Sequence, residues 1–171
     1  MIRYFRAIFA LAMLAVLSAC GGPEPESKIQ GYDGAPVTQI FVDKSDRKMY
    51  LLNGKTILRG YDIDLGNQPV GHKQFEGDGK TPEGMYFITH RNPNSAYHLS
   101  LGVSYPSAAD MSHAMSFRQR AGGDIMIHGR GPYGNSVDKR DWTAGCIAVT
   151  DAEMEEIFAM VNPGVPIVIR P

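Results

Sequence analysis

A mainly β domain with a helix packed on its sheet is predicted by three observations. Short segments of alternating apolar and polar residues recur between turn residues from Val37 to Val103. The segment after Thr150 joins a helix-start signal to an apolar face. "VPIVI", Val165 to Ile169, then reads as a last strand behind the breaker Asn162-Pro163-Gly164.

Taken in order, Val37–Val42 alternates like an early strand and Lys48–Leu52 follows a polar turn. Asn53-Gly54 is a hairpin signal, because both central residues of the favoured two-residue turn need positive φ. Thr56–Arg59 resumes extended structure, and Tyr61, Ile63 and Leu65 alternate against Asp62 and Asp64. The start is an antiparallel meander. Gly66–Gly84, "GNQPVGHKQFEGDGKTPEG", is a long loop, a length associated with function or mobility. Met85–Thr89 and Tyr97–Val103 return to strand, with a short helix expected in the stretch before Gly122. Asp124–Gly129 reads as a short central strand ending in His128 and Gly129. Thr150 and Glu153 offer a capping box, and Met154, Ile157, Phe158 and Val161 fall on one helical face.

The N-terminus has its own pattern. Arg3 and Arg6 precede an apolar run from Ala7 to Leu17, which reads as a secretory signal too short for a comfortable membrane span. Leu17-Ser18-Ala19-Cys20 resembles a bacterial lipobox, with residues 1–19 removed and Cys20 lipidated; an uncleaved anchor or an ordinary cleavage site is the plainer alternative. Gly21 stands where the inner-membrane retention signal has Asp, so the expected location is the periplasmic face of an outer membrane. Residues 20–36, rich in Gly and Pro, read as a tether, and 37–171 as one domain. A formal net charge of −1 gives no electrostatic reason to expect nucleic acid. The sequence does not set an oligomeric state.

The chain has two cysteines, so lipidation of Cys20 leaves Cys146 as the sole thiol. It has no partner for an intramolecular disulfide and no cysteine cluster for a metal. A buried apolar cysteine or a nucleophile remains. A nucleophilic thiol needs a base, usually His. Of the five histidines, His128 closes an apolar strand and precedes Gly129, and Gly145 allows a tight bend before Cys146. A structural histidine at the strand end is the competing reading.

"IMIHGRGPYGNSVDKRDWTAGCIAV" resembles the L,D-transpeptidase catalytic domain, the YkuD-type family. His128 and Gly129 match its H-G element, and Thr143, Gly145 and Cys146 match S/T-x-G-C. "FEGDGKTPEGMYFI" is similar to its upstream G-D-x-x-T-P-x-G segment, through Gly77, Asp78, Thr81, Pro82 and Gly84. The chain departs at Ala148, where many members have arginine, and at Ala144, where many have histidine. It thereby resembles a murein-modifying subgroup lacking that arginine.

The resemblance implies an L,D-transpeptidase-like β-sandwich or mixed sheet. It also implies a cysteine-dependent L,D-transpeptidase acting on peptidoglycan stem peptides, without metal or organic cofactor. Cys146 is then the nucleophile and His128 the base, with a backbone carbonyl orienting the ring. Gly145, Thr143 and Gly129 support the site and oxyanion. His72, Asp78, Thr81, Arg130, Arg140 and Trp142 are substrate-binding candidates; Arg130, Lys139 or Arg140 could replace the absent arginine. The alternatives are a murein L,D-carboxypeptidase, an amidase cleaving a diaminopimelate-linked peptide, and a non-catalytic murein-binding lipoprotein.

Overall fold

The structure, a computed structural model, describes residues 27–136 and 139–171. The signal segment, the lipobox and Cys20 lie outside the described residues. Eight strands form one mixed sheet: β1 (Gln39–Asp43), β2 (Lys48–Asn53), β3 (Thr56–Asp62), β4 (Gly84–Asn92), β5 (Ser100–Val103), β6 (Met126–His128), β7 (Ile147–Ala148) and β8 (Pro166–Arg170). Their spatial order is β3-β2-β1-β8-β4-β5-β6-β7. Helix α1 (Ala108–Ser116) lies between β5 and β6, and α2 (Asp151–Met160) between β7 and β8. The architecture is the mainly β, mixed sheet with packed helix that the sequence predicts.

Local chemistry explains the first half. The hairpin forms one residue later than Asn53-Gly54: Asn53 pairs with Thr56 across the two-residue turn Gly54-Lys55, of which Gly54 alone has positive φ, 56°, which glycine adopts without a Cβ penalty. Alternation decides which face goes inward. Ile40 and Val42 on β1, Met49 and Leu51 on β2, and Ile167 and Ile169 on β8 are essentially fully buried. Helix α2 lays Met154, Ile157 and Phe158 on that core. Its capping box is present: the Thr150 side chain accepts the Glu153 N–H, and the Glu153 carboxylate accepts the Thr150 N–H at 2.9 Å. Val161, expected on the helical face, is instead the C-cap, and it is buried all the same.

The sheet curls until its two ends meet. A β-bulge on β4 between Ile88 and Arg91 bends it toward β5. The chain leaving β3 at one edge then reaches β7 at the other. Asp64 and Ala148 exchange two backbone hydrogen bonds of 2.9 Å, and Gly66 bridges Thr143. These bridges explain why the pattern around Ile63 and Leu65 looks like strand although β3 ends at Asp62. Several expected bounds shrink. β1 starts at Gln39 rather than Val37, and β6 covers only Met126–His128. β5 starts at Ser100, because His98 turns the chain with φ 73°. Part of the expected tether lies on the domain: Lys28 Nζ donates to the His98 carbonyl at 3.0 Å, and Tyr32 packs against the core. Among the described residues no helix is long and apolar enough to cross a membrane.

The capping box gives a first test. Thr150→Ala removes the hydroxyl and should lower unfolding free energy by about 1 kcal/mol, read as a shifted denaturant midpoint with unchanged slope.

Candidate active site

Cys146 and His128 are brought to one face by parallel pairing. Ile127 pairs with Ile147 and His128 with Ala148, while β5 sets Leu101 beside Ile127 and Ser100 beside His128. Side chains alternate along each strand, so Leu101, Ile127 and Ile147 point inward and are fully buried. Ser100, Met126 and His128 point the other way, and Cys146, two residues before Ala148, joins them along the wall of a cleft of about 490 Å³.

Glycine makes the turn before the nucleophile candidate possible. Gly145 has φ 138°, and a Cβ there would lie 2.7 Å from the Lys80 carbonyl oxygen. Thr143 ties the turn from within: its hydroxyl donates to the Cys146 carbonyl at 2.7 Å and accepts the Gly145 N–H at 3.1 Å. Asn67 N–H donates to the Thr143 carbonyl at 2.9 Å, and Thr81 Oγ1 accepts the Gly66 N–H at 3.0 Å. The loop with the upstream motif therefore braces the turn from behind.

His128 is 4% exposed, against the ring of Tyr97 at 4.6 Å between centroids and of Trp142 at 5.8 Å. Its Nδ1 lies 2.6 Å from the Gly129 carbonyl oxygen. A carbonyl can only accept, so Nδ1 carries the proton and Nε2 keeps its lone pair. Burial pulls the His128 pKa below its ordinary value, with the Gly129 hydrogen bond and the charge of Asp151 opposing. Burial pushes the Cys146 thiol up, with the Met126 backbone opposing and Asp124 adding to the rise. The thiol donates to the Asp124 carbonyl at 3.4 Å. Both shifts favour a resting state of neutral thiol and neutral imidazole along the same cleft wall.

Among the residues expected at the site, Cys146, His128, Thr143 and Trp142 line the cleft. Ser95, Ser100, Asp124 and Met126 also line it and were missed; the strand alternation of Ser100 was the one available signal. Tyr97, Tyr133 and Trp142 pack ring against ring along the cleft, with Tyr97 and Tyr133 stacked at 5.5 Å. Asp124 is the only charged side chain among the described residues of the lining.

The other candidates are held elsewhere. His72 accepts the Glu83 N–H on Nδ1 at 2.9 Å and donates from Nε2 to Asp110 at 3.0 Å. Asp78 accepts the N–H groups of Gln74, Phe75 and Lys80 and pairs with Lys73 at 2.9 Å. Thr81 is fully buried, and Arg140 is exposed and absent from the lining. Arg130 pairs with Asp64 at 3.1 Å, so its guanidinium is drawn to the strand partner of Ala148 without entering the lining. Nearby, burial pushes the Asp141 carboxyl up, but Arg47 and the Leu65 N–H outweigh it and hold the carboxyl below its usual range. Among the described residues no cluster of His, Cys, Asp or Glu could hold a metal.

The resting state has a measurable consequence. Alkylation of Cys146 by a small haloacetamide should be slow at neutral pH and rise only at and above the ordinary cysteine range. A rate plateau already reached at neutral pH would show a thiolate instead.

The whole domain matches known proteins. Residues 38–169 match the family model described as the L,D-transpeptidase catalytic domain. The chain is 30% identical to YafK of Escherichia coli K12 over 159 residues, covering 89% of this chain and 58% of YafK. The helical cell shape determining protein Pgp2 of Campylobacter jejuni superposes with TM-score 0.63 at 25% identity, covering 85% of this chain and 52% of Pgp2. Bd1075 of Bdellovibrio bacteriovorus gives TM-score 0.55 at 27% identity, over 83% of this chain and 50% of Bd1075. The chain thus spans about half the length of these relatives. With the family model matched along almost all of the sheet and both helices, the chain belongs to the L,D-transpeptidase catalytic domain family.

Proposed function

We propose that the chain is a peptidoglycan L,D-transpeptidase working through a Cys146 thioester. The observation that carries this reading is the cleft itself: the one thiol among the described residues, on the same sheet face as a buried histidine whose free nitrogen is Nε2. As Cys146 Sγ attacks the carbonyl at the L-centre of diaminopimelate, its proton passes to His128 Nε2. No standing thiolate is required, because the transfer accompanies the attack. The Gly145 N–H is engaged by Thr143, so the Cys146 N–H is the oxyanion donor. His128 then returns the proton to the departing amine of the terminal D-residue, and the thioester remains. An amine of a second stem peptide attacks next, His128 takes its proton and passes it to the departing Cys146 sulfur, and the neutral thiol and imidazole are restored.

A second reading rests on charge. No cationic side chain lines the cleft among the described residues, and Ala148 stands in place of arginine. A free terminal carboxylate therefore lacks a counter-charge in the lining. This favours a neutral linkage as donor, with water resolving the thioester: an amidase cleaving a diaminopimelate-linked peptide.

One experiment separates these readings. Purified murein is incubated with wild type and Cys146→Ser, with and without added amine acceptors, and all products are identified by mass spectrometry. Links between two diaminopimelates, or incorporated acceptor, should appear with wild type and fall by on the order of 1,000-fold with the serine variant. Shortened stems or released peptides without acceptor incorporation would replace transfer by hydrolysis. Murein bound but unchanged by wild type would reject both.

We further propose that Cys20 carries the lipid anchor and that the domain works on the periplasmic face of an outer membrane. The support is Leu17-Ser18-Ala19-Cys20 behind a short basic and apolar segment. Labelling cells with a fatty-acid analogue should mark wild type and not Cys20→Ala; equal labelling of the two would rule the anchor out.

A further inference from the structure

The peptide group joining Gly129 to Arg130 is held at both ends. Its carbonyl oxygen receives His128 Nδ1–H at 2.6 Å, and its N–H donates to Asp151 Oδ1 at 2.6 Å. A peptide unit is planar, with its C=O and N–H fixed on opposite sides. Whatever holds the N–H therefore sets the direction of the carbonyl. The same Asp151 oxygen also accepts the Gly131 N–H at 2.9 Å, helped by the left-handed φ of 55° at Gly131. Gly129 has to be glycine for this approach: a Cβ there would stand 2.4 Å from Asp151 Oδ1.

Asp151 is itself firmly placed. It is the first residue of α2, directly after the Thr150 cap. The Val149 N–H donates to the His128 carbonyl at 3.0 Å, which ties the approach to α2 onto β6.

We propose that Asp151 is a positioning residue for His128, acting through the Gly129–Arg130 peptide as the carboxylate of a Cys146–His128–peptide–Asp151 relay. The inference rests on the function proposed for Cys146 and His128. Asp151 does not touch the ring. Its charge polarises the intervening peptide, so that the Gly129 oxygen becomes a better acceptor for Nδ1–H. That fixes the tautomer leaving Nε2 free, and it supports the imidazolium that forms when the thiol gives up its proton. The negative charge of Asp151 correspondingly opposes the downward effect of burial on the His128 pKa. The other ionisable side chains facing the cleft with His128 are Cys146, Tyr97, Tyr133 and Asp124, and the Arg130 guanidinium is taken up by Asp64.

Two variants of the full chain separate charge from geometry. Asp151→Asn keeps an oxygen acceptor and removes the charge, whereas Asp151→Ala removes both. The first readout is the imidazole ¹⁵N NMR titration of His128, which needs no substrate. Wild type should show the Nδ1–H tautomer. Asp151→Asn should keep it with a lower pKa, and Asp151→Ala should populate both tautomers. The second readout is murein turnover: kcat should fall by on the order of 100-fold in Asp151→Ala, and less in Asp151→Asn, with KM nearly unchanged. A role confined to starting α2 would lower the melting temperature and leave the tautomer and pKa as in wild type. That result in Asp151→Asn overturns the proposal, as does an Nε2–H tautomer in wild type. If Asp151→Ala fails to fold, the asparagine variant decides alone. If murein is not the substrate, the NMR readout still decides the positioning role.

Discussion

Two backbone hydrogen bonds between Asp64 and Ala148 close the curled sheet, and the candidate site is built on that seam. β7 has only two residues, too few to hold its own place in a sheet. It is held by β6 on one side and by the chain leaving β3 on the other. Without the closure, Cys146 would sit on a loop end next to a frayed edge. With it, the residue follows a turn whose neighbours are main-chain atoms. The close approaches of Gly66 to Gly79 and of Gly145 to Lys80 are part of the same seam.

Charge is distributed around the seam in a consistent way. Asp64, Asp141 and Asp151 each accept backbone N–H groups from the segments that frame the cleft. Arg130 and Arg47 answer two of these carboxylates, Asp64 and Asp141. These pairs are partly buried and hydrogen-bonded further, the condition under which an ion pair fixes geometry rather than merely decorating a surface. Their function is to hold three loop segments in register; none of the three carboxylates is among the residues lining the cleft.

What the sequence revealed follows from where each signal is stored. The strands β1, β2, β4 and β8 were legible because each has one buried face, which writes a period of two into the chain. The capping box before α2 was equally local. β7 left no trace, since two residues carry no period. Cys146 and His128 stood out because a lone thiol and a strand-end histidine are chemically distinctive within fixed motifs. The partners of His72 were not legible: a histidine in a glycine-rich loop invites a functional reading, and Asp110, which accepts from its Nε2, comes from a helix far along the chain. Asp151 carries no such signal, because its contacts are to backbone N–H groups and backbone has no sequence signature. The orientation of a peptide plane is invisible until the fold is known.

The hydrogen bond from Cys146 to the Asp124 carbonyl bears on how long the thiol survives. Oxidants convert thiolates to sulfenic acid and beyond far faster than they attack thiols. Burial that favours the protonated sulfur slows that loss. Among the described residues there is no second cysteine to form a protecting disulfide. The same desolvation that disfavours the Cys146 thiolate therefore also protects its sulfur from oxidation.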